Sequence, residues 1–339
     1  MRRLWREKKF VAGFVFLALL LLLSIGNTIF NNGDISQARL SFGEKGTVLA
    51  KPPYAPSVQN LLGTDVYGYD MLHIIIQGAK YTIGIALLIT IIRMVCSYIT
   101  GAVISTYFPK GIPLLRVITE PFTIVPQLLI AYFILLNVLW MPDEGFPNPF
   151  WERALFEVFI LSIIAIPALT LYMADQMRSF WKMDFIESSK TLGGSQTHIF
   201  WRHIRPSTFG SSVLLFIQQF IQVLSLLAHL GVLELFFGGT MTDAIMTDPP
   251  KTLSYEWSGL IGDSYPLIRY YPWIPLTVIV FFTLTILAVN MMLSSAEKVF
   301  NLRQQIPSND LMLGKSINRK KHKKKQRLRK HAEELIDKG

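Results

Sequence analysis

Four polar side chains in an otherwise apolar block are the first candidates for chemistry in this sequence. Gln218, Gln222, Ser225 and His229 step by 4, 3 and 4 through residues 208–233, a stretch without formal charge. That spacing places all four on one face of a helix. Amide, hydroxyl and imidazole groups donate and accept hydrogen bonds. Inside a bilayer such a stripe turns away from lipid, toward the bundle interior or a water-filled path. It is therefore a candidate lining for a path, with interhelical hydrogen bonding as the alternative. Arg93 is the second candidate. It sits midway along another apolar block, where a lone arginine costs about 2.5–3.5 kcal/mol on insertion scales. It must pair or face water. Glu120 is the expected partner, Glu157 the alternative, and an electrostatic gate the rival role.

Enzymatic chemistry is poorly served. His229 and Glu234 are the nearest pair, and a separation of five does not bring them together on a helix. The sequence has no G-x-x-x-x-G-K-[ST] phosphate loop, no H-E-x-x-H and no G-x-S-x-G. A single cysteine, Cys96, excludes an intramolecular disulfide and a cysteine-cluster metal site. No catalytic residue, metal site or cofactor is expected in this chain.

The elements that must hold these residues are membrane helices. Of 339 residues, 51% are hydrophobic and only 17% charged, against about 25% charged in soluble domains. Six blocks reach the ~20 apolar residues that span a bilayer: 10–29, 81–108, 114–141, 154–174, 208–233 and 271–296. Each must close its backbone hydrogen bonds as a helix, with Pro121, Pro126 and Pro167 as kinks or interruptions. The exit of the first block, SIGNTIFNN, lacks a cleavage pattern, so a retained helix is expected rather than a signal peptide. The fold class is all-α integral membrane protein with six transmembrane helices, multi-pass in the cell membrane.

Charge placement sets the orientation. With six spans both ends share one side, and that side carries 24 of the 33 Lys and Arg residues against 7 opposite. Both termini are thus expected in the cytoplasm. The division expected along the chain is a cytoplasmic N-terminus and first helix at 1–30 and an extracytoplasmic segment at 31–76. A membrane domain follows at 77–297, then a basic, disordered tail at 298–339. The tail's run NRKKHKKKQRLRK has no interleaved aromatics to stack bases. The expected surroundings are the lipid bilayer, with no nucleic acid.

The cytoplasmic connection at 175–206 is the informative one. Asp184 and Glu187 have capping-box spacing, Gly193-Gly194 can end a helix in a left-handed turn, and Ser195 can cap a second helix through Ile204. Pro206 then marks entry to the fifth span. The loop reads as helix, Gly-Gly, helix, joined stiffly to the membrane.

Glu187-Ser188-Ser189-Lys-Thr-Leu192-Gly193, followed by Ile204-Arg-Pro206, resembles the EAA loop of ABC-transporter permeases, E-A-A-x-x-x-G with I-x-L-P after it. Serines stand for both alanines and Arg205 for the leucine. Leu62-Gly63-Thr64-Asp65-Val-Tyr-Gly68-Tyr69-Asp70 is similar to the L-G-T-D-x-x-G-R-D of C-type permeases in dipeptide and oligopeptide importers. Gly78-Ala79-Lys80 matches G-A-R at the family's spacing. Glu120 with Pro126, Trp257-Ser-Gly259, and Asn290 late in the last span extend the likeness over residues 51–301. Leu192-Gly-Gly-Ser-Gln196 only superficially resembles the L-S-G-G-Q of ABC ATPases, and its order is wrong.

The resemblance implies a type-1 ABC importer permease of the peptide/nickel group. It implies a coupling loop that docks on an ATPase subunit through Glu187, Ser188, Ser189, Leu192, Gly193, Ile204 and Pro206. It also implies a homologous permease subunit, two ABC ATPase subunits holding ATP and Mg, and an extracytoplasmic substrate-binding protein. Peptides are the expected cargo, with nickel complexes or another small solute as the alternative. A self-sufficient secondary transporter is the rival class, although no internal repeat is evident.

Overall fold

The computed structural model describes residues 3–38, 41–42, 48–242 and 250–300. The basic run expected to form a disordered tail lies outside the described residues. Within them, five helices are long and apolar enough to cross a membrane, and a sixth span forms if one bent pair is counted as a unit. The fold is all-α and multi-pass, with two short two-stranded ribbons besides.

Helix α1 is Lys8–Phe30. The ribbon of β1 (Ser41–Phe42) and β2 (Val48–Ala50) follows. Helix α2, Met71–Tyr107, opens where the Asp70 carboxylate accepts the N–H groups of Leu72 and His73 at 2.9 and 3.1 Å. It begins ten residues before the apolar block at 81–108. Its first three turns are buried by protein rather than lipid, with Met71, Ile74, Ile75 and Ala79 all inside.

Helices α3 (Ile112–Ile124) and α4 (Gln127–Leu139) are the bent pair, a candidate third span broken by 76° at Pro126. Proline removes a donor and obstructs the helical path, so this interruption is the expected one. Pro121, by contrast, stays within α3 without breaking it. Helices α5 (Phe150–Ile163) and α6 (Ile166–Trp181) form the fourth span, with a turn at Ile164 and Ala165 just before Pro167.

The loop helix α7 is Asp184–Thr191. Met183, not Asp184, is its N-cap, and the Met183 carbonyl accepts from Ile186 and Glu187. Asp184 and Glu187 instead occupy the first turn, where carboxylates suit the helix dipole. Gly193 adopts φ +84° and Ser195 caps α8 (Gln196–Ile199) through the His198 N–H, both as the sequence indicates.

Pro206 does not interrupt the chain. A π-helical turn at Phe200–Ile204 joins α8 to α9 (Arg205–Val232), with the Arg205 N–H reaching back to the Phe200 carbonyl. The wider turn absorbs the proline, and residues Gln196–Val232 run as one 37-residue rod. Strands β3 (Thr240–Met241) and β4 (Lys251–Thr252), short helix α10 (Trp257–Ser264) and the last span α11 (Trp273–Phe300) complete the fold.

The core runs along α2, α5, α9 and α11, through residues such as Ile83, Leu161, Val223 and Val278. Close approach is set by glycine. Gly101 of α2 lies against the Thr170 carbonyl and Met173 of α6, and Gly13 of α1 lies under the Ala288 carbonyl of α11. The outward faces carry exposed Leu19, Val95, Phe133 and Phe159, the side chains that lipid would cover.

Candidate functional site

The bend at Pro126 opens a cavity of about 530 Å³ against α9. Its walls are the end of α3, the start of α4 and the polar face of α9, contributed by Gln222, Ser225 and His229. Gln218 is exposed on the same face, one turn beyond the cavity. The four stripe residues thus share a face, and three converge on one space. The His229 Nδ1 contacts the Ser225 carbonyl. A carbonyl only accepts, so Nδ1 is the donor in this contact. Gln127 adds a buried side-chain oxygen without a hydrogen-bond partner. A helix broken within the membrane, opening onto polar side chains, is the usual form of a solute path.

Arg93 does not pair with Glu120. Glu120 is exposed on α3, whereas Arg93 is fully buried. The guanidinium donates to the Leu161 carbonyl through Nη2 and through Nε at 3.0 Å, and through Nη1 to Gln219 Oε1 at 3.4 Å. The cause is the turn between α5 and α6. There the Ala165 N–H bonds Ser162 at 3.3 Å, which frees the Leu161 carbonyl, and the guanidinium fork caps it. Glu157, the other acid considered, is buried and accepts the Gly238 N–H at 3.0 Å. The ion pair of α3 is instead the exposed Arg116–Asp175 bridge to α6, at 2.8 Å.

Far from the cavity along the rod, the loop presents an exposed surface. Glu187, Ser188, Leu192, Gly193 and Pro206 are exposed, and Ser189 is half-buried. Leu192 is 89% exposed, beside exposed Met183 and Phe185. Ile204 is fully buried and packs with Ile186, Ile199, Met177 and Trp181. Ile204 therefore anchors the loop rather than presenting it. Lys190 lies over the Trp181 ring at 5.4 Å, a further tie to α6.

At the opposite end of the bundle, motifs distant in sequence form one cap. Trp257 is fully buried, its Nε1 donating to the Ile75 carbonyl at 3.0 Å and its N–H to Thr82 Oγ1 at 2.8 Å. Trp273 Nε1 donates to the Thr64 carbonyl at 3.2 Å. At Gly78 a Cβ would stand 2.2 Å from the Tyr255 carbonyl, so only glycine fits. Between these lies a recess of about 430 Å³, with Asp65, Asp263, Lys251 and Tyr255 above an apolar floor. Burial pushes both Asp65 and Asp263 up to about 6, against backbone N–H bonds that lower them. Sequence reasoning noted Asp65 only as part of a motif and did not single out Asp263.

No model of a known protein family matches the chain. Curated relatives do. SapC, a peptide transport system permease protein of Escherichia coli O6:H1 (strain CFT073), is 23% identical over 216 residues, 64% of each chain. OppC of Bacillus subtilis (strain 168), an oligopeptide transport system permease protein, is 23% identical over 277 residues, 80% of this chain and 78% of OppC. A putative peptide transport system permease protein of Brucella suis is 22% identical over 309 residues, 90% of this chain and 91% of its own. The chain spans just under two thirds of the length of SapC. Over 64–90% of its length the chain is thus similar to permease proteins of peptide transport systems. Its place is the membrane, as a multi-pass protein. In this chain the rod Gln196–Val232 carries the polar stripe against the bent pair α3–α4 and begins just after the exposed loop.

Proposed function

We propose that this chain is a permease, one of two homologous membrane subunits of an ATP-driven ABC importer of peptides. Peptide cargo is supported by the names of SapC and OppC. The observation that carries the mechanism is the rod Gln196–Val232. One end is the loop with exposed Leu192, and the other is the cavity wall of Gln222, Ser225 and His229. Two ATPase chains, holding ATP and Mg, would close on ATP and push α7. A continuous helix transmits that displacement to the cavity instead of dissipating it in a hinge. The path would then open to one side of the membrane and afterwards the other, provided the cargo binds the two states unequally. A substrate-binding protein would deliver peptide to the cap of Thr64, Trp257 and Trp273. The loop and both termini lie in the cytoplasm on this reading.

Reconstituted vesicles provide the test. Uptake of a labelled tripeptide should require ATP and the binding protein, and should persist when ion gradients are collapsed. Uptake that follows an ion gradient without ATP would refute the proposal and favour a secondary transporter.

A further inference from the structure

Arg93 does more than cap a carbonyl, because the hydrogen bonds continue from it into the cavity. A guanidinium has donors only. Its contact with Gln219 at 3.4 Å therefore fixes which end of that amide faces Arg93, namely Oε1. Gln219 Nε2 is then turned the other way, and it donates to Gln222 Oε1 at 2.8 Å. With Oε1 engaged, Gln222 leaves its N–H groups for the cavity that it lines. Arg93 is fully buried and Gln219 is 7% exposed, so water does not compete for the chain's inner links. An amide otherwise offers either end with little preference.

We propose that Arg93 is a positioning residue that sets the polarity of the path. Acting through Gln219, it makes Gln222 a hydrogen-bond donor toward an oxygen acceptor of the cargo, a backbone carbonyl or a terminal carboxylate. This rests on the reading of the cavity as the peptide path. The chain of three residues bridges two faces of the fold, since Leu161 holds Arg93 from α5 while Gln219 and Gln222 belong to α9. The donor direction is consequently tied to the turn between α5 and α6.

The decisive variant is Gln219→Glu in the full transporter. A carboxylate accepts from Arg93 as before but cannot donate, so it also accepts the Gln222 N–H groups and turns Gln222 Oε1 into the cavity. Because it supplies a counter-charge to Arg93, it should not unfold the protein. Trialanine and trialanine amide are the probes, in vesicles with ATP. The expected result is a rise in KM of roughly tenfold with little change in kcat. Gln222→Glu should give the same result. An equal penalty for both probes identifies a backbone carbonyl as the acceptor, and a penalty for trialanine alone identifies the terminal carboxylate.

Thiol labelling separates access to the cavity from the polarity of Gln222. In a Cys96→Ala background, Gln222→Cys should react with a water-soluble maleimide and be protected by trialanine. If it is protected but Gln219→Glu leaves KM unchanged, the polarity proposal is overturned and the path stands. If Gln222→Cys neither reacts nor is protected, or if the unaltered protein takes up neither probe, the path reading fails and takes this inference with it.

Discussion

Replacing Gly231 with alanine, a gain of one methyl group, should destabilise this protein. A Cβ at Gly231 of α9 would stand 2.1 Å from the Ser258 carbonyl oxygen and 2.4 Å from its carbon. Both belong to backbone, which cannot swing aside. The contact is reciprocal, since a Cβ at Gly262 of α10 would stand 2.1 Å from the Gly231 carbonyl. Relief requires α10 to retreat by roughly 1 Å, against close-packed neighbours including the fully buried Trp257 and Phe236. Overpacking of this kind costs about 1–3 kcal/mol or more, partly offset by ~1 kcal/mol of helix propensity gained over glycine. A net loss of up to about 2 kcal/mol corresponds to a fall of up to about 3 °C in Tm for a chain of this size, at ~2.1 cal/mol/K of unfolding entropy per residue. The control is Gly84→Ala in α2, where nothing lies within 4 Å, so the propensity gain should raise Tm slightly. Thermal unfolding of the two variants in the same detergent measures the difference. If Gly231→Ala melts no lower than Gly84→Ala, the packing of α10 on α9 described above is wrong.

Other perturbations address the charged groups and the loop. Arg93→Met combined with Gln219→Leu should show a coupling of about 1 kcal/mol in a double-mutant cycle of unfolding free energies, and with Glu120→Gln no coupling beyond ~0.3 kcal/mol; the reverse pattern would restore the Arg93–Glu120 pair. Asp65 and Asp263 have folded pKa values raised from 3.8 to about 6. The fold therefore favours their protonated forms, and that stability is fully present below pH 3.8 and lost as pH rises through about 6, up to ~3 kcal/mol for each. Hydrogen exchange in the 63–70 and 257–264 segments should accelerate between about pH 4 and 7 beyond its intrinsic dependence, and Asp65→Asn should flatten the profile. Gly193→Ala places a Cβ at φ +84°, a strain of about 1–2 kcal/mol. Exchange protection of α7 should drop and uptake per ATP should fall, whereas unchanged values would show that the turn does not hold the loop.

The spans were legible because lipid exposure demands long uncharged runs, and each of the six blocks falls on a helix, on the bent pair at Pro126 or on α5 and α6 together. Gly193 and Ser195 were legible too, since a left-handed turn and an N-cap each select a few residue types. What escaped sequence reasoning involves groups that every residue carries. The partner of Arg93 is a backbone carbonyl freed at Ile164 and Ala165, and a carbonyl has no signature in the sequence. Pro206 looked like a boundary because the π-turn that absorbs it depends on the packing of Ile199 and Ile204. Gln219 stood between two stripe residues and off their face, so only the position of Arg93 across the helix interface gives it a part. The extra turns of α2 were missed for a related reason: His73, Gln77 and Lys80 interrupt the apolar run, yet α1 and the outer cap bury this stretch, with Gln77 accepting from Asn27 at 3.0 Å.

On the proposed mechanism, an exposed loop at the foot of a continuous rod receives force from an ATP-hydrolysing chain. Cysteine placed at Ser188 or Leu192, with Cys96 replaced by alanine, measures this by cross-linking in membranes during transport. Adducts with that chain are expected, their yield changing between ATP-bound and nucleotide-free conditions, and none from control cysteines at Ile99 or Phe133, exposed on α2 and α4 away from the loop. Active uptake with no adduct from either loop position would contradict it.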